Sequence, residues 1–434
     1  MKILEIEPSP LEGKLRIPPS KSISHRAVIC AGLAEGISRI ENVVFSEDIS
    51  ATLEGMRAMG TNLKAVEGLE NDKFQPCTLS IRGNPAINLS RELIDCRESG
   101  STLRFLIPLA TRSGAEVSFS GQGMLRERPL DVYYQIFEEQ GIEYRTTGGF
   151  LPLTIKGSLK PGNYKLKGNV SSQFISGLMF LFPLLDGDSK LIVTTELESR
   201  GYVDLTIDVL KRFGIKVGNK DYQEFVIKGK QKYQSCNYRV EGDYSQAAFW
   251  IVAGILGGRI ECLDLNPDSL QGDLAILKIV KEMGADLKAK GAGFKVLAAP
   301  TKGIVIDAGQ CPDLIPVLAV LASLSKGTTH IVNAGRLRIK ESDRLKAMTT
   351  ELNKLGAKIQ ELEDGLKIEG VEILKGGTVN SWNDHRIAMA LAVASIRCIE
   401  PVRIIGFEAV NKSYPHFWED FKKLGGKYYE RSMG

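Results

Sequence analysis

Histidine is scarce in this chain: there are four in 434 residues, far apart, and none opens an H-E-x-x-H pattern. Cysteine is little richer. The seven (Cys30, Cys77, Cys96, Cys236, Cys262, Cys311 and Cys398) are scattered, odd in number and form no C-x-x-C pair. That is the pattern of reduced thiols in a cytosolic protein, and it argues against both a disulfide frame and a tightly held transition metal. No apolar run approaches the roughly 20 residues that cross a bilayer. The N-terminus, Met1-Lys2-Ile3-Leu4-Glu5-Ile6, turns acidic too soon for a signal peptide, so the expectation is a cytoplasmic protein with no membrane partner. A surplus of one charge is missing too. Fifty-six Lys and Arg against 52 Asp and Glu leave a net charge of +4, which argues against a general nucleic-acid binder. There is no Walker loop, so nucleotide phosphoryl transfer has no support.

What is present is a soluble, globular composition, 43% hydrophobic and 25% charged, in a chain too long for one ordinary core. Two or more domains follow. One signature recurs along it: an amphipathic helix closed by glycine, at Gly60, Gly141, Gly214, Gly284, Gly356 and Gly425. Glycine there fits the left-handed residue that ends a helix. Short alternating strands follow most of these glycines, as at Ala285 to Ala289 and Ala357 to Glu361. The intervals are close to seventy residues, with a longer first step, so six copies of one α/β unit are expected. Tyr238 to Asp243 lies at the junction of the third and fourth copies and is the natural domain boundary. Three copies then fall in each half. If the first strand, before Pro18, pairs with the second half, the chain crosses between domains near Pro18 to Ser20 and again near Val240.

Several stretches hold more charge or hydroxyl than a fold requires. Pro19-Ser-Lys21-Ser22-Ile-Ser-His25-Arg26 packs two cations, three hydroxyls and an imidazole against a helix expected from Ala27 to Ala34. A helix start favours anions through its free N–H groups and its dipole, and Lys21 and Arg26 add full charges. An exposed basic turn with a serine cap fits that stretch equally well. Glu98-Ser99-Gly100-Ser101-Thr102-Leu103-Arg104 is a second such turn, open to the same two readings, before an apolar helix from Phe105 to Ala110. Arg126-Glu127-Arg128-Pro129 sets two arginines before a helix-starting proline, and Ser171-Ser172-Gln173 gathers hydroxyls and an amide suited to a polyol or phosphate.

In the second half, Asp313 lies between Pro312 and Pro316 in an apolar setting. Burial would raise its pKa toward general-base duty, and a helix cap is the competing and compatible reading. Arg338-Ile-Lys340-Glu341-Ser342-Asp343-Arg344 alternates signs before a helix, ordinarily a solvated ion-pair face. Asn383-Asp384-His385-Arg386 opens another helix, and Lys412 adds a cation in a turn. Lys21, Arg26, Arg128, Lys340, Arg344, Arg386 and Lys412 thus stand at loop-to-helix junctions in both halves. Helix starts facing one shared cleft would make it electropositive in a nearly neutral protein, which points to small polyanions carrying phosphate and carboxylate.

These stretches, in this order and over essentially the whole chain, resemble the 5-enolpyruvylshikimate-3-phosphate synthases (3-phosphoshikimate 1-carboxyvinyltransferases). The resemblance implies an α/β (α+β) fold of two similar domains, each of three βαβαββ units, the inside-out α/β barrel of the enolpyruvyl transferases. It implies a first domain over 20–240, a second made of 1–19 and 241–434, and an active site in the cleft between them. The implied reaction moves the enolpyruvyl group of phosphoenolpyruvate to the 5-hydroxyl of shikimate 3-phosphate on the route to chorismate and the aromatic amino acids, without metal or other cofactor, in a monomer. Carried over by position, Lys21, Asp313 and Glu341 are catalytic: Asp313 takes the hydroxyl proton, while Lys21 and Glu341 are the candidates to protonate the methylene carbon. Shikimate 3-phosphate falls to Lys21, Ser22, Arg26, Ser171, Ser172, Gln173, Ser199, Tyr202, Asp313 and Lys340. Phosphoenolpyruvate falls to Lys21, Gly100, Arg128, Gln173, Glu341, Arg344, His385, Arg386 and Lys412, His385 being more an orienting group than a base.

The chain departs from the family in having Glu98-Ser99-Gly100-Ser101 where many members have Asn-Ala-Gly-Thr, and Arg336 where some have a phosphate-contacting asparagine. Two rivals stand beside this reading. The sister enolpyruvyl transferase acting on a UDP-sugar usually carries a cysteine shortly before its Arg-Pro pair, and Gly121 to Pro129 has none. A non-catalytic binder of phosphorylated metabolites would not need Lys21, Asp313 and Glu341 together.

Overall fold

The computed structural model describes residues 2–68 and 75–432. Twelve α-helices occur among them: α1 (Lys21–Leu33), α2 (Glu47–Ala58), α3 (Gly100–Ala110), α4 (Asp131–Gln140), α5 (Ser172–Leu181), α6 (Arg200–Arg212), α7 (Tyr244–Gly257), α8 (Ala275–Glu282), α9 (Ile315–Ser323), α10 (Arg344–Lys354), α11 (His385–Ala394) and α12 (Phe417–Lys423). The chain divides into two compact units, Pro19–Val240 and Met1–Pro18 with Glu241–Gly434. Each has its own hydrophobic core.

Each unit contains three four-stranded sheets, and all six share one strand order. In the sheet of Leu93–Asp95, Val117–Ser120, Phe150–Lys156 and Glu143–Thr147, the first pair is parallel and the others antiparallel. A helix connects the first strand to the second, another connects the second to Glu143–Thr147, and a tight hairpin adds the last strand. This is one βαβαββ unit. Three of the six sheets are completed by strands distant in sequence. Lys2–Glu7 lies between Val402–Ile405 and Lys427–Ser432 in the final sheet, with Ile3 opposite Ile405 and Lys2 opposite Ser432, while Glu12–Arg16 runs parallel to Arg259–Leu263. Asn237–Arg239 supplies the opening strand of the sheet built on Ile37–Val43.

The odd-numbered and even-numbered helices differ in kind. The odd-numbered six are apolar around most of their circumference and buried; α1 is covered from Ile23 to Leu33. A helix hydrophobic on every side belongs inside a domain. The even-numbered six bury one stripe, as α10 does with Leu345, Met348 and Leu352. All of these are followed by a glycine with positive φ. Gly141 at φ 69° is the C-cap of α4, and Gly60, Gly214, Gly284, Gly356 and Gly425 share the left-handed sign. A β-carbon would strain that conformation, so the recurring sequence signal has a backbone cause.

Two helices begin earlier than their apolar runs suggest. α1 starts at Lys21, because the Ser20 side chain accepts from the Ile23 N–H, so Lys21 to Arg26 form its first turns. α3 likewise starts at Gly100 behind the Ser99 cap. The strand expected from Ala285 is confined to Leu287–Ala289. No helix among the described residues is long and apolar enough to cross a membrane, and none of their side chains form a cluster able to hold a metal ion.

Candidate active site

In the Pro19–Val240 unit the candidate residues sit at helix starts. Lys21 Nζ is 2.6 Å from Asp48 Oδ2, in the first turn of α2. Arg26 is buried and donates from Nε to Thr206 Oγ1 (2.8 Å), from Nη1 to the Ser22 carbonyl (2.7 Å) and from Nη2 to the Tyr202 carbonyl (2.9 Å). Its guanidinium lies over the Phe105 ring at 5.1 Å. Burial lowers its pKa to about 10. Three of its five N–H groups therefore tie α1 to itself and to α6, and two remain for other acceptors. Ser199, at φ 55°, ends the approach to α6, and Tyr202 lies in that helix's first turn. Ser171 caps α5 by accepting from Gln173 N at 3.3 Å, and Ser172 is buried beside it.

A second group converges on Gly100. A β-carbon built there would lie 2.8 Å from Arg128 Nη1, 3.1 Å from Arg104 Nη1 and 3.5 Å from Gln173 Oε1. Gln173 donates to Ser101 Oγ (3.0 Å) and accepts from Arg104 Nη1 (2.8 Å). Pro108, inside α3, has no N–H for the Arg104 carbonyl four residues back, and the Tyr133 hydroxyl donates to that carbonyl instead at 2.5 Å. Arg104 is thereby fixed at both backbone and side chain.

In the other unit the centre is Asp313, in the short turn Pro312–Leu314 before α9. Arg344 donates from Nη1 to its Oδ1 at 2.9 Å, Arg386 from Nη2 to its Oδ2 at 3.1 Å, and Lys340 Nζ is 3.8 Å away. Arg386 Nη1 also donates to the Asp313 carbonyl. Arg344 bonds two further carboxylates: Glu341 Oε2 at 2.7 Å and, through Nε, Asp384 Oδ2 at 2.8 Å. Asp384 is fully buried, caps α11 by accepting from Arg386 N, and accepts from Ser342 Oγ. His385 is buried with Nδ1 3.8 Å from Asp384. Lys412 Nζ donates to the Asn383 carbonyl at 2.6 Å.

The electrostatics correct one sequence expectation. Burial pushes the Asp313 carboxyl up, but Arg386, Lys340 and Arg344 outweigh it and hold the pKa well below the usual carboxylate range. Cations from elsewhere in the chain, not the apolar residues flanking it, set its charge state. Burial also brings Lys340 down to about 8, with Arg336 and Arg344 adding to it against Asp313 and Glu341. The run from Arg338 to Arg344 is only partly a solvated face: Arg338 pairs with Asp343 and Glu361, whereas Arg344 is turned inward at 1% exposure.

Against known proteins, residues 6–421 match the family described as EPSP synthase (3-phosphoshikimate 1-carboxyvinyltransferase). This chain belongs to the EPSP synthase family. A protein of Clostridium novyi (strain NT) named 3-phosphoshikimate 1-carboxyvinyltransferase is 59% identical over 434 residues, covering 100% of both chains. One of the same name from Clostridioides difficile (strain 630) is 51% identical, again covering 100% of both. The solved structure of EPSP synthase from Acinetobacter baumannii superposes with a TM-score of 0.82 at 27% identity over 100% of each chain. As in the family, the two-domain fold here is assembled from repeated βαβαββ units.

Four residues of these clusters were not singled out as site residues from sequence: Asp48, Arg104, Asp273 and Asp384. Arg104 and Asp384 lie inside stretches that already looked chemically loaded, and an acidic helix cap followed by arginine was a usable signal for Asp384. Asp48 and Asp273 had none. Asp273 accepts from the Ser245 hydroxyl; burial, with the nearby Asp313 charge, raises its pKa to about 6 against the pull of Arg386.

Proposed function

We infer that this chain is an enolpyruvyl transferase that makes 5-enolpyruvylshikimate 3-phosphate and phosphate from phosphoenolpyruvate and shikimate 3-phosphate, a step of aromatic amino acid biosynthesis. The observation that carries this is family membership over nearly the whole chain, at 51–59% identity to relatives of that name. The gathering of Arg128 and Gln173 about Gly100 in one unit, and of Lys340, Glu341, Arg344 and Arg386 about Asp313 in the other, supports the reading that each unit carries groups suited to phosphate and carboxylate. Shikimate 3-phosphate takes Lys21, Ser22, Arg26, Ser171, Ser172, Gln173, Ser199, Tyr202, Asp313 and Lys340. Phosphoenolpyruvate takes Lys21, Gly100, Arg128, Gln173, Glu341, Arg344, His385, Arg386 and Lys412. The protein acts as a cytoplasmic monomer.

In the first step the 5-hydroxyl oxygen bonds to C2 of phosphoenolpyruvate while its proton goes to Asp313, and the C2–C3 π pair takes a proton from Lys21 or Glu341 to become a methyl group. In the second, the C2–O bond to phosphate breaks, the methyl group returns a proton and the double bond re-forms. Lys21 and the arginines stabilise the leaving phosphate. Asp313 starts ionised, as a base must. An incoming carboxylate competes with it for Arg344 and Arg386, and burial then raises its basicity as those cations are drawn away.

The test is phosphate release from phosphoenolpyruvate by the purified, folded protein. Release that depends on shikimate 3-phosphate is expected. Release dependent on UDP-N-acetylglucosamine instead would move the chain to the sister transferase, and no release with either acceptor would leave only a binder.

A further inference from the structure

α1 and α2 meet through two rungs spaced one helical turn apart on each helix. Lys21 pairs with Asp48 at 2.6 Å, and four residues on, His25 Nδ1 lies 2.7 Å from Thr52 Oγ1. Residues four apart share a helix face, so the rung that holds the imidazole also sets the turn that carries Lys21. From Thr52 a line of hydroxyls continues into α3: Thr52 Oγ1 to Thr102 Oγ1 at 2.7 Å, and Thr102 Oγ1 to Ser99 Oγ at 2.7 Å. Ser99 is the cap of α3, whose next residue is Gly100.

Proton counting fixes the direction of this line. A threonine hydroxyl has one hydrogen to donate. Thr102 spends it on Ser99 at 2.7 Å or the Asp48 carbonyl at 3.4 Å, so in either case it accepts from Thr52; Thr52 then has none left for the ring and must accept from His25. The imidazole therefore carries its proton on Nδ1. Its Nε2 is buried without a hydrogen-bond partner among the described residues, and His25 meets Phe105 edge-on at 6.5 Å. A second proton on Nε2 would have nothing to bind. The charged groups acting on the ring, Lys21 and Arg26, both oppose a further positive charge, and with burial they hold its pKa well below the usual value.

We propose that His25 is a positioning residue, held as the neutral Nδ1–H imidazole, which through Thr52, Thr102 and Ser99 fixes the start of α1 against the start of α3 and so sets Lys21 relative to Gly100. The kinetic part of this rests on the functional reading above, while the tautomer does not.

Two measurements test it. In protein with 15N-labelled histidine, the His25 resonance, identified by its loss in His25→Asn, should remain that of a neutral Nδ1–H ring from pH 5.5 to 9. Protonation in that range, or a proton on Nε2, would overturn the proposal whatever the protein catalyses. In steady-state kinetics, Thr102→Val and His25→Leu each break the line and should raise KM for phosphoenolpyruvate about tenfold or lower kcat by as much. His25→Asn, whose amide can donate from near the Nδ1 position, should stay within about threefold of the parent. Equal impairment of His25→Asn and His25→Leu, in folded protein, would also overturn it. Lack of turnover in the unaltered protein would count against the functional reading, and the resonance measurement would still decide the tautomer.

Discussion

Arg344 donates to Asp313 at 2.9 Å while only 1% of its side chain reaches solvent. The same guanidinium serves Glu341 and the fully buried Asp384, so its loss strands more than one charge. Removing one partner of a buried pair costs about 3–5 kcal/mol, and Arg344→Ala should lose that much stability in denaturant unfolding. Arg344→Lys, with one compact charge in place of the fork, should recover only part of it.

Asp313→Ala should bind both substrates and lose about 10²–10⁴-fold in kcat, the usual worth of a general base. Near-normal turnover would remove Asp313 from the mechanism. Because its folded pKa lies below the unfolded one, the carboxylate contributes stability above about pH 4 that is lost as pH falls through the folded value. The parent should therefore lose Tm on the acid side more steeply than Asp313→Asn.

Lys340 behaves in the opposite sense. The folded protein releases this proton near pH 8 and the unfolded chain near 10.5, so the unfolded state holds more protons in between and this group favours the folded state increasingly as pH rises through that window. Phosphate binding moves the other way, since the ammonium is what attracts the anion. KM for shikimate 3-phosphate should climb above about pH 8, and Lys340→Arg, charged throughout, should remove that climb.

Asp273, with its pKa raised to about 6, favours folding below the unfolded carboxylate value and loses that contribution as pH rises through 6. Asp273→Asn keeps an acceptor for Ser245 and removes the charge. Its Tm should exceed the parent's at pH 7.5 and match it at pH 4; equal values at both would show that the carboxyl pKa is not raised by folding.

At Gly100 the nearest atoms to an added β-carbon are the ends of long side chains, led by Arg128 Nη1 at 2.8 Å. Gly100→Ala should therefore leave Tm within about 2 °C while displacing Arg128. KM for phosphoenolpyruvate should rise about tenfold, equivalent to about 1.4 kcal/mol.

Much of this molecule is legible without coordinates because its signals are local. Gly141 ends α4 in the left-handed conformation for a reason contained in a few consecutive residues, and the same holds at the other five helix ends. Six such ends at near-regular spacing announce the repeats. The charged stretches at helix starts are local as well, which is why Lys21, Arg128 and Arg386 could be singled out.

Long-range pairing was not legible. Nothing near Lys2–Glu7 says that it pairs between Val402–Ile405 and Lys427–Ser432, because both partners lie about 400 residues away and meet it only once the chain has folded. Nor could the setting of Asp313 be read from its flanking prolines: Arg344 and Arg386, far along the chain, decide its charge state, since Coulomb energy depends on distance in space. The same applies to Lys21 and Asp48, and to the line of hydroxyls from His25 to Ser99. The sequence by itself determined the repeat, the helix ends and the chemical inventory. Tertiary structure alone decided which carboxylate faces which cation, because burial and proximity, the two quantities that set a pKa, exist only after the chain has packed.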